Sequence, residues 1–300
     1  MTFCACCKQD IVENTPESAC CQNSRLYGML LFSRSFSKDK ILCSSEHEFV
    51  ADHFAYLLNE LGVSRDKIIR GKSTREYSVS VRDRDTIDRI FADFGYTGDE
   101  PSVRLSDENF SCAGCAAAFV SGAFLVCGSV TRPSSGYHLE FTSHKKNLCD
   151  DFVALLESGD FAPKRTARGY LKILYFKNST SIEDILTYIG AMNSSLELMN
   201  EKIYKDIVNS VNRRTNCESA NIDKMVNSAM RDIECIKKLN ECGDSRVLGD
   251  ELRELARLRV ENPELSMLEL GALTEPPLTK SGVSHRLRKI RKIAEMAEEA

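Results

Sequence analysis

The fold is decided by one uncharged stretch, FVSGAFLVCGSV at residues 119–130, which carries glycines at positions 122 and 128. A similar stretch, RLYGMLLFSRSF at residues 25–36, places Gly28 opposite Gly122 at an offset of 94 residues. Three further matches follow in the same order: FAYLLNELG (54–62) with FVALLESG (152–159), Tyr77, Val79 and Val81 with Leu171, Ile173 and Tyr175, and TIDRIFADFG (86–95) with SIEDILTYIG (181–190). Ordered matches at a nearly constant offset predict that the first two hundred residues are a duplicated unit.

Each copy has the pattern of a helix, two strands, a helix, two strands and a helix. Apolar residues recur at helical spacing, as in Phe54, Leu57, Leu58 and Leu61, and the strand segments alternate apolar and polar residues. The stretch RPSSGY at 132–137 has the turn residues of a hairpin. We therefore predict an α+β fold, a pseudo-twofold duplicated αββαββα domain over residues 23–195, with repeats at about 23–97 and 112–191. Residues 1–22 are predicted to be an N-terminal tail.

Composition limits the classes of protein that fit. The 300 residues are 42% hydrophobic with a formal net charge of −4, so a core can form and nucleic-acid binding would need local basic patches. No apolar run is long enough to span a membrane, and the start MTFCACCKQD lacks the apolar core of a signal peptide. These features predict a cytoplasmic protein without a membrane partner.

The thirteen cysteines are predicted to be free thiols. Cys112 and Cys115 could join Cys4, Cys6 and Cys7 around a zinc ion, but the second group lacks the spacing of a ligand pair. Buried cysteines often act as small hydrophobic residues. The sequence therefore favours no metal and no cofactor.

The C-terminal third has helical patterns without strand signals. Residues 196–221 are predicted to be a linker helix, and residues 222–300 a helical domain with helices at about 222–240, 247–260, 266–273 and 281–298. Ser266 and Glu269 have the spacing of a capping box, and Pro276 and Pro277 end the short helix. The last helix has one apolar stripe: Val283, Leu287, Ile290, Ala294 and Ala297.

The last helix also carries a concentration of positive charge. Six lysines and arginines and no acidic residue lie between Pro276 and Ala294, although the chain is acidic overall. A short helix, a turn and a basic second helix indicate a helix-turn-helix, whose second helix reads the major groove. The alternative is a surface helix with a solvated basic face. The predicted DNA contacts are Lys280, Ser281, Ser284, His285, Arg286, Arg288, Lys289 and Lys292.

The duplicated domain resembles the LAGLIDADG homing-endonuclease fold, in which two glycine-containing helices pack together at the pseudo-twofold axis. The resemblance implies that Gly28 and Gly122 allow the helix contact and that Ser33 and Cys127 replace the metal-binding aspartates. A hydroxyl and a thiol are poor ligands for Mg²⁺, which argues against nuclease activity. An active endonuclease stays open as an alternative if Asp39, Glu46 or Asp107 supplies the carboxylates.

In that fold the two sheets form a saddle over DNA. Basic hairpins occur at equivalent places in both repeats, and two adjacent arginines lie in the last part of the predicted linker helix. These side chains either contact phosphates or lie on solvated strand surfaces, and the sequence does not separate the two. The candidate phosphate contacts are Arg82, Arg165, Arg168, Lys172, Arg213 and Arg214.

The combination of both parts resembles the WhiA family of bacterial transcription regulators. The stretches that carry the match are FVSGAFLVCGSV, GYHLEF (136–141), NRRTNCESANIDK (212–224) and PPLTKSGVSHRLRKI (276–290). The resemblance implies binding to double-stranded promoter DNA at the nucleoid, a role in sporulation or cell division, and no nuclease activity or small-molecule substrate. A third hypothesis is a scaffold whose LAGLIDADG-like domain binds a protein partner.

Overall fold

The computed structural model describes residues 1–241 and 248–298, with side chains as far as residue 296. The chain divides into two compact units, Met1–Lys205 and Asp206–Ala300. Each unit has its own hydrophobic core.

Unit 1 contains the two repeats. After α1 (Phe3–Glu13), the first repeat runs through α2 (Ala19–Phe32), β1 (Ser35–Ser37), β2 (Lys40–Ser45), α3 (Glu48–Glu60), β3 (Ile69–Lys72), β4 (Tyr77–Val81) and α4 (Arg84–Asp93). The second runs through α5 (Cys115–Cys127), β5 (Gly128–Val130), β6 (Leu139–Ser143), α6 (Lys146–Ser158), β7 (Lys164–Arg168), β8 (Leu171–Phe176) and α7 (Ser179–Tyr188). The antiparallel sheets have the equivalent orders β1-β2-β4-β3 and β5-β6-β8-β7. The predicted αββαββα duplication is confirmed.

The first 22 residues are not a tail in this structure. α1 starts with Thr2, whose hydroxyl accepts a hydrogen bond from the Ala5 backbone N–H at 3.2 Å. The apolar side of α1 lies in the core of unit 1 and consists of Phe3, Cys7 and Ile11. The sequence did not reveal this because the apolar residues of α1 are few and separated by cysteines.

The strand correspondence predicted for the second hairpin is wrong by one residue. Val79 and Val81 of β4 lie in the core, and the core residues at the equivalent places of β8 are Leu174 and Phe176. The sequence match places Val81 on Tyr175, which is only half-buried. Side chains alternate between the two faces of a strand. An alignment of the two strands that is wrong by one residue therefore exchanges the side chains predicted to be buried with those predicted to be exposed.

Unit 2 is helical. α8 (Met192–Glu241) begins in unit 1 and continues into unit 2, followed by α9 (Asp250–Glu261), α10 (Met267–Ala272) and α11 (Lys280–Glu298). The predicted separation between a linker helix at 196–221 and a helix at 222–240 is therefore wrong. The polar stretch 212–224 contains neither glycine nor proline, so nothing interrupts the helix. The start of the helix predicted at 247 lies outside the described residues.

Within residues 1–241 and 248–298, the structure contains no helix that is both long and apolar enough to cross a membrane.

Candidate nucleic-acid interface

The short helix α10 and the helix α11 meet through a well-defined turn. The Ser266 hydroxyl accepts a hydrogen bond from the Glu269 N–H at 3.3 Å, and the Glu269 carboxylate accepts one from the Ser266 N–H at 2.9 Å. The predicted capping box is therefore present. After the prolines, the Leu278 N–H donates to the Gly271 carbonyl at 2.9 Å and brings the chain back against α10.

The predicted apolar stripe of α11 is its buried face. Val283, Leu287, Ile290 and Ala294 lie in the core of unit 2 together with Leu255 of α9. The side chain of Ala297 lies outside the described residues. This packing fixes which face of α11 is turned to solvent.

The opposite face of α11 is polar and basic. Its members recur at helical spacing, at positions 281, 285, 288, 289 and 292, so they share one face of the helix, and all of them are exposed. Among the described residues, no carboxylate lies within ion-pair distance of the arginine or the two lysines. We call this surface the α11 basic face: Ser281, His285, Arg288, Lys289 and Lys292.

The other three predicted DNA contacts lie beside this face. Arg286 forms an ion pair with Glu251 of α9 at 2.8 Å, so its guanidinium is already held within unit 2. Ser284 is half-buried, and Lys280 is exposed at the first residue of the helix. The sequence could not separate these residues from the basic face because the position of α9 was unknown.

In unit 1, the motif helices α2 and α5 pack with their glycines in contact. A Cβ atom added to Gly28 would collide with the Phe119 carbonyl oxygen, and one added to Gly122 would collide with the Arg25 carbonyl oxygen. Because both obstacles are backbone atoms, neither can move aside by changing rotamer. Only glycine fits at these two positions with the helices at this distance.

Ser33, the residue at the first degenerate metal position, is hydrogen-bonded to the backbone. The buried Ser33 hydroxyl lies 2.6 Å from the Leu30 carbonyl oxygen and 3.0 Å from the Ser35 carbonyl oxygen, so its proton is directed to the main chain. The Lys145 ammonium donates to the Leu31 carbonyl oxygen at 2.6 Å. The end of α2 therefore holds a cationic side chain, which is unfavourable for a metal cation.

The second degenerate position is equally unsuited to Mg²⁺. Burial raises the pKa of the Cys127 thiol to about 12, so this side chain is neutral at ordinary pH. Burial also lowers the pKa of Lys145 to about 8. A neutral thiol beside a buried amine gives neither the charge nor the hard oxygen atoms that Mg²⁺ prefers.

An open cavity of about 470 Å³ lies beside Cys127. Of the three carboxylates that could replace the missing ligands, Glu46 lines this cavity, together with Lys8 of α1. Asp39 lies in the turn between β1 and β2, and Asp107 lies in a short helical turn ahead of α5. In the described part of the chain these carboxylates do not form a cluster able to hold a metal.

The candidate phosphate contacts of the second repeat lie on different faces of the sheet. Arg165 of β7 is opposite the core residue Leu174, and it forms ion pairs with Asp150 and Glu157 of α6 at 3.5 and 3.8 Å. Lys172 shares the helix-facing side with Leu174 because it is two residues away on β8. These two cations therefore point toward the helices.

Arg168 lies on the other face of the same sheet, at an odd spacing from Arg165. Lys164 and Thr166 occupy that face as well, opposite Tyr175 and Ile173, and were not predicted. The alternation of β7 could have identified them once its register was known. In the remaining candidates, Arg82 follows β4 and is exposed, and Arg213 and Arg214 are exposed on α8.

One cluster of cysteines differs from the sequence prediction. Cys112 and Cys115 lie beside Cys20 and Cys21, and not beside the cysteines of α1. No signal in the sequence marked this pairing because the two groups are more than ninety residues apart. The four sulfur atoms are the one group in the described residues that could hold a metal ion.

Comparisons with known proteins match both units. Residues 116–208 match the model of the WhiA LAGLIDADG-like domain, and residues 211–294 match that of the WhiA C-terminal HTH domain. A protein named probable cell division protein WhiA from Clostridium botulinum is 36% identical over 90% of this chain and 89% of its own length. One of the same name from Ruminiclostridium cellulolyticum is 33% identical over 98% of this chain and 97% of its own. The crystal structure of full-length DUF199/WhiA from Thermatoga maritima is 25% identical with a TM-score of 0.59, and the match covers 97% of this chain and 96% of that chain.

Proposed function

Because the chain belongs to the WhiA family, we propose that it is a sequence-specific DNA-binding transcription regulator that acts at promoters in cell division or sporulation. The observation that supports this proposal is the α11 basic face, which lies opposite the buried stripe of a helix in the second position of a helix-turn-helix. A helix of this kind enters the major groove of double-stranded DNA. The basic face would then meet base edges and phosphates at the nucleoid.

Within the basic face, the residues have different parts in the proposed contact. Arg288 can form two hydrogen bonds with the O6 and N7 atoms of a guanine. Ser281 and His285 lie on the same face nearer the start of α11 and can contact bases or phosphates. Lys289 and Lys292 supply charge to the phosphate backbone, which positions the helix without reading sequence. Lys280 and Ser284 lie at the border of this contact, and Arg286 acts through its contact with α9.

For the LAGLIDADG-like domain, we propose a binding function without nuclease activity. The support comes from Ser33 bonded to the backbone, neutral Cys127 and the amine of Lys145 at the place of the metal ligands. Arg168, on the sheet face that points away from α6, would make further phosphate contacts together with Arg82, Arg213 and Arg214. Arg165 and Lys172 point toward α6 and are not included among these phosphate contacts. The alternative is that this domain binds a protein partner.

The proposal is tested by DNA binding of the full-length chain. Duplexes are first selected from a random library, and the affinity is then measured by fluorescence anisotropy over a range of salt concentrations. We expect replacement of both Arg288 and Lys292 by alanine to lower the affinity at least about tenfold, because removal of each base contact costs about 1–3 kcal/mol. The salt dependence should also become shallower by about one unit of slope for each phosphate that the variant no longer neutralises.

A matched variant removes the same charge elsewhere in unit 2. Lys237 and Arg257 are exposed on α8 and α9 and do not belong to the α11 basic face, and both are replaced by alanine. This variant should bind the selected duplex as wild type does. Equal weakening in the two variants would mean that overall charge, and not α11, determines binding, and unchanged affinity in the first would refute the proposed contact.

The full-length chain also tests the two other hypotheses, an active endonuclease and a scaffold that binds a protein partner. Reproducible cleavage of plasmid DNA in the presence of Mg²⁺ would show an active endonuclease. If replacement of Arg168 by alanine leaves DNA affinity and its salt slope unchanged, the LAGLIDADG-like domain does not touch DNA through this face, and a protein partner becomes the better explanation for it.

A further inference from the structure

Four cysteines meet at the amino-terminal ends of the two motif helices. Cys20 and Cys21 lie in the first turn of α2, Cys115 is the first residue of α5, and Cys112 lies three residues before it. Their four Sγ atoms all lie within 4.8 Å of one another. The described cysteines are free, so none of these four is in a disulfide.

The separations between the sulfur atoms are those of ligands around one ion. The Sγ atom of Cys112 lies 3.6 Å from that of Cys20, 3.4 Å from that of Cys21 and 3.5 Å from that of Cys115. Tetrahedral zinc with Zn–S bonds of about 2.3 Å places its sulfur ligands about 3.8 Å apart. A disulfide would need about 2.05 Å, and iron and sulfide atoms inserted between the cysteines would require more room.

The surroundings of the cluster suit a structural ion. Cys21 and Cys115 are buried against Ala118 and Phe110, whereas Cys20 is half-buried and Cys112 is exposed. The apolar side excludes water from the sulfur atoms, and the exposed side gives an ion a way in. A site closed by four protein ligands is typical of structural zinc, since a catalytic zinc keeps one position open.

The electrostatics of the cluster also favour thiolate ligands. Arg25 lies one turn after Cys21 on α2, and its buried positive charge offsets part of the negative charge of the thiolates. Soft thiolate ligands select Zn²⁺ over Mg²⁺ or Ca²⁺.

We propose that Cys20, Cys21, Cys112 and Cys115 bind one structural Zn²⁺ ion that fastens the start of α2 to the start of α5. Binding from solution forms four Zn–S bonds and releases to water the protons of those thiols that are not already ionised. The ion connects the two repeats at the end of the helix pair opposite Ser33 and Cys127. The proposal concerns the stability of the duplicated domain and is independent of the proposed DNA contact.

The test begins with the metal content of the full-length chain. The chain is purified, stripped with a chelator under reducing conditions, reloaded with Zn²⁺ and dialysed, and its zinc is measured by mass spectrometry. We expect one zinc per chain. Reloading with Co²⁺ should give the intense visible absorption of tetrahedral cobalt thiolate, which reports sulfur ligands directly.

Matched variants locate the ion. Replacing Cys20 and Cys112, the two more accessible members, by serine should abolish stoichiometric zinc and the cobalt absorption. Replacing Cys4 and Cys6 on α1 by serine removes the same number of thiols and should leave both unchanged. If the first variant fails to fold, the wild-type chain is melted with and without chelator, and the site predicts a lower melting temperature for unit 1 without the ion.

Four results would overturn the proposal. The wild-type protein could hold no zinc after reloading, or the two cysteine variants could hold equal amounts of zinc. The protein could instead contain iron and acid-labile sulfide. Lastly, the reduced and reloaded protein could contain a disulfide among the four cysteines.

Discussion

Acidification should destabilise unit 1 through a single buried histidine, His53 of α3. Its side chain is 5% exposed, and its Nε2 atom has no hydrogen-bond partner among the described residues. Burial, assisted by the positive charge of Arg25, lowers the pKa of His53 from 6.5 to about 3. The folded protein therefore keeps this imidazole neutral at pH values where the unfolded chain protonates it.

The sign and size of the effect follow from this difference. As the pH falls below 6.5, protonation stabilises only the unfolded chain, so the free energy of unfolding decreases until the pH approaches the pKa of the folded state near 3. One pKa unit corresponds to about 1.4 kcal/mol, which gives a decrease of about 2 kcal/mol between pH about 7.5 and pH about 5.0. Above pH 6.5 the contribution of His53 is complete and constant.

Tyrosine fluorescence during urea unfolding measures unit 1 separately, because all nine tyrosines precede residue 206 and the chain has no tryptophan. We expect His53→Leu to remove about 2 kcal/mol of the pH dependence between these two conditions. The exposed His144 is the matched control, and His144→Leu should keep the wild-type dependence. If His53→Leu loses as much stability on acidification as wild type, the buried imidazole is not the responsible group.

Two further predictions concern packing and a buried ion cluster. Gly122→Ala should destabilise unit 1 by about 3 kcal/mol in the same urea assay, because the new Cβ meets backbone atoms; Gly159→Ala, which has ordinary van der Waals room, should change it by less than about 1 kcal/mol. Asp232 is buried between two arginines, at 3.3 and 4.0 Å, so Asp232→Ala should destabilise unit 2 by about 3–5 kcal/mol. Far-UV circular dichroism should show an early helical transition without a change in tyrosine fluorescence, whereas Asp223→Ala on the exposed surface of α8 should unfold as wild type does. A Gly122 variant as stable as its control, or an unchanged helical transition in the Asp232 variant, would contradict these expectations.

The sequence alone was sufficient for the duplicated architecture and for the helix-turn-helix. Both depend on local patterns: a glycine in each apolar motif helix, alternation in the strands, and a capping box followed by prolines. The strand register was misjudged because the offset between repeats changes from 94 at the glycines to 95 at Val79 and Leu174. A constant offset cannot follow loops of different length.

Sequence patterns could not predict the features that depend on tertiary contacts. Cys20 and Cys112 are brought together only by the pairing of α2 with α5, so their spacing in the chain carries no ligand motif. The ion pair that holds Arg286 depends on where α9 lies. Likewise, Arg165 and Arg168 are both basic residues of one strand, and only the register shows that they occupy opposite faces.

The buried Arg25 has a consequence for the history of the duplication. Its guanidinium donates to the Ser121 hydroxyl at 2.9 Å and to the carbonyl oxygens of Ile11 and Asn14 at 2.8 and 3.1 Å. The residue equivalent to Ser121 in the first repeat is Tyr27, so two copies of the first repeat would present a tyrosine where this arginine needs a small hydroxyl. The halves have thus become interdependent. A homodimer built from the first repeat alone would lack the hydrogen bond between Arg25 and Ser121, so the two copies can no longer replace each other at this contact.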